Sequence, residues 1–300
     1  MTLKKLQKGD VIGIVSPAGF IKEDEDLSIA ISLLQNWGLK VKLGKHVFAK
    51  NNHFAGTDLQ RKADFQSFLD DDNIKSIWCT RGGYGSIRII NDLDFTKFKV
   101  NPKWIIGYSD ITVFHNAING FGLESIHAIM PTSTDSILKS KSAIESLRKV
   151  FFGEELSYQY KSNKFNKLGK VEAKIIGGNL SLLASLTGTN YTLKTRNKIL
   201  FIEEIGEYKY SIDRMFQSLK LNGYFKNCKG LILGGFTKIK LNEPSFGKTI
   251  EELILDVVKE YDFPICFDFE AGHITNNKAL ILGRTAVLNV EKEYVSLDFE

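Results

Sequence analysis

The chain predicts an α/β protein built on a parallel sheet, and three observations carry that reading. Short runs rich in Val and Ile recur along roughly the first 135 residues, each closed by a turn. Between them lie amphipathic stretches of about ten residues or more, long enough for crossover helices. No internal repeat or low-complexity segment interrupts the pattern.

Residues 10–15 form the first run and end in the turn Ser16-Pro17-Ala18-Gly19. A helix is expected over residues 26–37, with Leu27, Ala30, Ile31, Leu33 and Leu34 apolar and Gly38 at its stop. Residues 40–47 read as a second strand. Thr57-Asp58 opens another helix that carries Ala63, Phe65, Phe68 and Leu69. Residues 74–79 and 104–106 are the third and fourth strands. Past residue 135 the character changes to one helix, 143–152, and a polar stretch of Tyr, Lys, Ser and Asn. The expected division is a first domain over 1–135, a connecting segment over 136–169, and a second domain over 170–300. The second domain should hold strands at 174–176, 198–202, 230–233 and 265–269. Its helices are expected at 179–186, 212–221 and 249–261, followed by a hairpin of two or three strands over 279–299.

Composition narrows the function. With 300 residues, 43% of them hydrophobic, the chain can bury one large core or two smaller ones. The net charge of +5 comes from 40 basic and 35 acidic side chains that are interspersed, which describes a solvated surface and not a nucleic-acid face. The longest apolar runs, 199–202 and 279–282, cannot span a bilayer, and no apolar segment of signal-peptide type follows Lys4-Lys5. The expectation is a cytoplasmic protein with no membrane partner. Cys79, Cys228 and Cys266 are far apart and odd in number, which argues against a disulfide framework. No Cys or His pair has metal-ligand spacing, so neither metal nor other cofactor is expected.

Four constellations could carry chemistry. In Gly107-Tyr108-Ser109-Asp110 an apolar strand runs directly into a helix, a corner that projects a serine hydroxyl from the sheet edge. The same sequence suits an ordinary helix cap, and Ile111 stands where the familiar nucleophile elbow has a second glycine. Cys79-Thr80-Arg81-Gly82-Gly83-Tyr84-Gly85 is a glycine loop after a strand, able to turn backbone amides toward an anion or simply to turn. Glu203 and Glu204 end a strongly apolar strand, where a carboxylate is costly unless paired. His273 follows Gly272 on a loop. Among the five histidines His127 is its rival as a general base, while His46 and His53 flank a polar loop and His115 lies one turn into the helix after Ser109.

Taken in order, these segments resemble the LD-carboxypeptidase family, which includes the microcin-immunity peptidases. The resemblance covers nearly the whole chain: Val15-Ser16-Pro17-Ala18-Gly19, residues 58–65, Ile77 to Gly85, Gly107-Tyr108-Ser109-Asp110, Gly177-Gly178-Asn179-Leu180 with Leu186-Thr187-Gly188-Thr189, residues 201–204 with 210–214, and Gly272-His273. It departs at His127, followed here by Ala128 where the family often has glycine. The resemblance implies a flavodoxin-like parallel-sheet N-terminal domain and a smaller β-rich α/β C-terminal domain, a homodimer, and no cofactor. It implies a triad of Ser109, Glu203 and His273. With it go an oxyanion hole from the amides of Gly83 and Asp110, and substrate contacts from Arg81 and Tyr84. The implied reaction releases D-Ala from a cytoplasmic murein tetrapeptide. The alternatives are the same fold acting on a peptidyl- or aminoacyl-nucleotide toxin, or a non-catalytic ligand-binding α/β protein.

Overall fold

The computed structural model describes residues 3–23 and 25–300. The strands among them are β1 (Val11–Val15), β2 (Lys40–Leu43), β3 (Ile74–Cys79), β4 (Trp104–Gly107), β5 (Ser125–His127), β6 (Ser157–Lys161), β7 (Gly169–Asn179), β8 (Lys198–Ile205), β9 (Gly230–Thr237), β10 (Ile265–Cys266), β11 (Leu280–Leu282), β12 (Thr285–Val290) and β13 (Tyr294–Phe299). Two sheets result, ordered β11-β5-β4-β3-β1-β2 and β10-β9-β8-β7-β12-β13-β6.

In the first sheet β2-β1-β3-β4-β5 are all parallel neighbours, the flavodoxin-like order. The strand order reverses between β1 and β3. In such sheets the crevice past the carboxyl ends at this reversal is where ligands sit. The turns after β1 and β3 therefore flank the favoured position, and the turn after β4 lies beside them. The helix Asp58–Asp70 that feeds β3 starts with a capping box: Thr57 Oγ1 accepts from the Gln60 amide and the Gln60 side chain accepts from the Thr57 amide.

The second sheet is half parallel and half antiparallel. β7, β8, β9 and β10 run parallel, whereas β12, β13 and β6 extend the β7 edge as an antiparallel meander. Leu183, Leu200, Ile202, Phe216, Phe225, Leu231, Leu233 and Ile254 close its core with the helices Leu180–Ser185, Lys209–Leu221 and Ile250–Val258.

The division of the chain differs from the one expected. One compact unit runs to Glu154 and takes back Thr275–Ile281; the other comprises Glu155–Ile274 and Leu282–Glu300. No separate connecting segment lies at 136–169. The helix Lys141–Phe152 buries Ala143, Leu147, Val150 and Phe151 in the first unit, and the polar residues 157–161 are the edge strand β6. The apolar run 280–282 is no part of a terminal hairpin. It borders β5 in the first sheet, and the preceding Ala279 amide donates to Ser146 Oγ at 2.9 Å. Only β12 and β13 form the hairpin.

Candidate active site

Ser109 sits where β4 stops. Tyr108 is extended, Ser109 turns to a left-handed φ of 64°, and a short 3₁₀ turn leads into the helix Thr112–Gly120. A non-glycine residue in this region is strained, and such strain gathers at functional corners. Ile111, in place of the elbow's second glycine, packs on Gly107: a Cβ built there would lie 2.8 Å from Ile111 Cγ1. The glycine loop after β3 closes over the same corner. A Cβ on Gly82 would stand 2.8 Å from Ser109 Cβ, 2.9 Å from its Oγ and 3.2 Å from the Asp110 amide nitrogen, so only glycine lets the loop approach this far. The Gly82 carbonyl in turn accepts from the Gly19 amide at 3.1 Å, which joins the turns after β1 and β3.

The other residues of the loop are placed less simply. Arg81 Nη1 donates to both oxygens of Glu25, each at 2.9 Å, and to the Phe20 carbonyl at 3.2 Å, so its charge is already met by a carboxylate of this chain. Tyr84 is exposed and lies 5.8 Å from the Phe54 ring and 6.4 Å from the His53 ring.

Among the histidines, His115 and His127 are fully buried. His115 bonds Ser125 Oγ and the Gly107 carbonyl, each at 2.9 Å, and burial pushes its imidazole down to about 4. It braces the Ser109 corner as a neutral ring. His46 is held by Asp64 at 2.8 Å.

In the second unit the adjacent acids of β8 point to opposite faces, as strand alternation requires. Glu203, fully buried, accepts from the His273 ring Nδ1 at 2.7 Å and from the His273 backbone amide at 3.2 Å. Gly272, at φ 106°, makes the approach possible: a Cβ there would lie 2.7 Å from Glu203 Oε2. A bulge between β8 and β9 sets Gly234 and Gly235 opposite Glu203 and opens room for the loop that carries His273. Burial works against an imidazolium here. The Glu203 charge and hydrogen bond outweigh it, holding His273 above its ordinary range.

Glu204 faces the helix Leu180–Ser185. It accepts from the Ser181 amide at 2.8 Å, Ser181 Oγ at 2.6 Å, Asn179 Nδ2 at 3.1 Å and the Ile205 amide at 2.7 Å. Burial raises its carboxyl above the usual range against these bonds. It serves as an anchor for a helix start.

The three cysteines are buried and unpaired, and burial raises each thiol. Among the described residues no group of three or more His, Cys, Asp or Glu side chains could hold a metal ion, and no helix is long and apolar enough to cross a membrane. Arg61, which the sequence reading passed over, is a buried cation beside the glycine loop. Its signal was there: it shares a helix face with Phe65 and Phe68 at i, i+4 and i+7.

The family model of the LD-carboxypeptidase N-terminal domain matches residues 12–128, and that of the C-terminal domain matches residues 172–288. The chain belongs to the LD-carboxypeptidase family. It is 34% identical over 295 residues to the probable murein peptide carboxypeptidase of Bacillus subtilis (strain 168), covering 97% of this chain and 92% of that one. It is 28% identical over 330 residues to the microcin C7 self-immunity protein of Escherichia coli, covering 97% and 94%. The crystal structure of muramoyltetrapeptide carboxypeptidase from Oxalobacter formigenes superposes with a TM-score of 0.87 at 29% identity, over 96% of this chain and 98% of that one. Ser109 lies within the matched N-terminal domain, Glu203 and His273 within the C-terminal one.

Proposed function

We propose that this family member is a serine-type LD-carboxypeptidase that cleaves the amide between an L-centre and a terminal D-amino acid, releasing D-Ala from murein tetrapeptide. The observation that carries the reaction class is the Glu203–His273 pair. A buried carboxylate on Nδ1 favours the tautomer that carries its proton there, in which Nε2 is the basic nitrogen. Ser109, at its left-handed corner, is the nucleophile. Its Oγ attacks the scissile carbonyl as His273 Nε2 takes the hydroxyl proton. The amides of Gly83 and Asp110 receive the oxyanion. Collapse expels the amine of D-Ala, which takes that proton from His273. Water activated by the same imidazole then hydrolyses the acyl-serine ester. The substrate reading is supported by the names of the relatives, as is the alternative of a peptidyl- or aminoacyl-nucleotide toxin, which needs the same bond chemistry. The family resemblance also supports a homodimer acting in the cytoplasm.

Incubation with purified murein tetrapeptide should release D-Ala, followed by mass spectrometry, and Ser109→Ala should release none. Hydrolysis of an aminoacyl-nucleotide conjugate with no attack on the tetrapeptide would replace the substrate reading by the toxin one. Gly82→Ala gives a further check. The added methyl cannot sit 2.8 Å from Ser109 Cβ, so the loop must retreat. A displacement of about 1 Å at a reacting centre costs roughly 10²-fold, so kcat should fall by about that factor while the melting temperature hardly moves. Unchanged kcat in this variant would separate the glycine loop from the chemistry.

A further inference from the structure

Two charges buried in the first unit take no part, as side chains, in the steps above. Arg61, on the inner face of the helix Asp58–Asp70, and Asp110, directly after Ser109, are each 1% exposed. Buried charge is costly unless it is paired and hydrogen-bonded, so what each one holds is informative. Arg61 Nη1 donates to the Pro17 carbonyl at 2.6 Å and to the Gly85 carbonyl at 2.9 Å, while Nη2 is paired with Asp58. The Phe54 ring lies 4.9 Å from the guanidinium carbon. Gly85 is shaped for this contact, because a Cβ there would fall 2.5 Å from Nη1. Asp110 Oδ2 accepts from the Ser86 amide at 2.8 Å. Burial pushes its carboxyl above the usual range, opposed by the Ser86 contact and by Arg61.

The backbone groups held, the Pro17 and Gly85 carbonyls and the Ser86 amide, are all in the two turns that meet at the nucleophile. Pro17 belongs to the turn after β1. Gly85 and Ser86 end the turn after β3, whose Gly82 packs on Ser109. The two turns are joined by the Gly19 amide donating to the Gly82 carbonyl. One guanidinium thus ties the turns to each other, and one carboxylate ties the second turn to the residue beside the nucleophile.

We infer that Arg61 and Asp110 are positioning residues that clamp residues 82–86 onto Ser109 and so keep the Gly83 and Asp110 amides aimed at the oxyanion. The inference rests on the Ser109 reading proposed above. A clamp of this kind acts on the transition state, where the oxyanion forms, and not on ground-state binding.

Asp110→Ala, Asp110→Asn and Arg61→Lys in the full chain, assayed by D-Ala release with thermal unfolding measured alongside, test it. Asp110→Ala should lower kcat by about 100-fold and leave KM within about threefold. Asp110→Asn should recover about tenfold of that loss, since an amide oxygen still accepts from Ser86. Arg61→Lys keeps the charge but loses the two-armed fork, and kcat should fall about tenfold. The acid limb of kcat/KM against pH should stay at its wild-type position in all three, because His273 and Glu203 set it. Wild-type kcat in Asp110→Ala and Arg61→Lys overturns the clamp. So does a KM that rises in step with the loss, an Asp110→Asn as crippled as Asp110→Ala, or a loss equal to the unfolded fraction. Should Asp110→Ala not fold, the other two variants decide by the same criteria. Ser109→Ala separates the two levels: if it stays active the nucleophile reading fails, and if it is dead while the clamp variants are normal only the clamp fails.

Discussion

Ser109→Ala and His273→Ala should each lower kcat by about 10⁴- to 10⁶-fold, the range in which serine triads lose their nucleophile or base. Neither group works alone: the hydroxyl is a poor nucleophile until a base takes its proton, and the imidazole has no other proton to move. The double variant should therefore be little worse than either single one. Ser109→Ala should leave the fold intact, whereas His273→Ala should fold with lowered stability because the buried Glu203 loses its partner. Ser109 is not tied into any strand ladder, and His273 lies on a loop after β10 with a partly accessible ring. His127→Ala is the control. His127 is fully buried at the end of β5, 5.9 Å from the Tyr108 ring, so its loss should cost stability while kcat changes less than about tenfold, near 1.4 kcal/mol. Turnover measured by D-Ala release on all four proteins, with thermal unfolding, checks the set. An active Ser109→Ala removes the nucleophile, and an inactive His127→Ala beside an active His273→Ala moves the base to the first unit.

Much of the first sheet is legible because β1, β3 and β4 are largely buried on both faces and read as apolar runs cut by turns. Where the reading slipped, a distant residue decides. β2 was read to residue 47, yet it stops at Leu43 because Asp64, on the facing helix, takes the His46 amide at 2.7 Å and its ring at 2.8 Å. β6 has the composition of a linker because Ser157, Gln159 and Lys161 dominate it, while Tyr158 and Tyr160 alternate inward, the pattern of an edge strand. In the site, the Ser109 corner could be found locally, since strand, glycine and helix are contiguous. The adjacent acids could not be told apart locally: one motif position separates them in sequence, and the two faces of β8 separate them in space. The reach of Gly82 to Ser109 and of Arg61 to two turns is tertiary geometry, invisible to spacing. Arg81 was expected to meet substrate, and its bond to Glu25 is of the same long-range kind.

Glu203→Gln should lower plateau kcat by about 10³-fold, roughly 4 kcal/mol, less than loss of the base itself. The amide can still accept from Nδ1, so the ring stays oriented, but the charge that stabilises the imidazolium formed on proton transfer is gone. The pH profile carries the sharper test. His273 must be neutral to act as base, and in the wild type the Glu203 carboxylate holds its imidazole above the ordinary value of about 6.5. The acid limb of kcat/KM should accordingly lie above that value. In Glu203→Gln the limb should move to lower pH, because burial then acts unopposed by the carboxylate. Stability runs the other way. A group whose folded pKa is raised contributes stability that is fully present below its unfolded pKa and lost as pH rises through the folded one. The pair therefore supports the fold most where catalysis is switched off, and Glu203→Gln should remove the acid-side part of that stability. Glu204→Gln makes the contrast. Three of its four hydrogen bonds hold the start of the helix Leu180–Ser185, so its unfolding temperature should drop while kcat stays within about tenfold and the acid limb moves down by less than in Glu203→Gln, because the Glu204 charge also raises His273 but more weakly. A downward shift of the limb in Glu204→Gln with none in Glu203→Gln would assign the orienting carboxylate to the other face of β8.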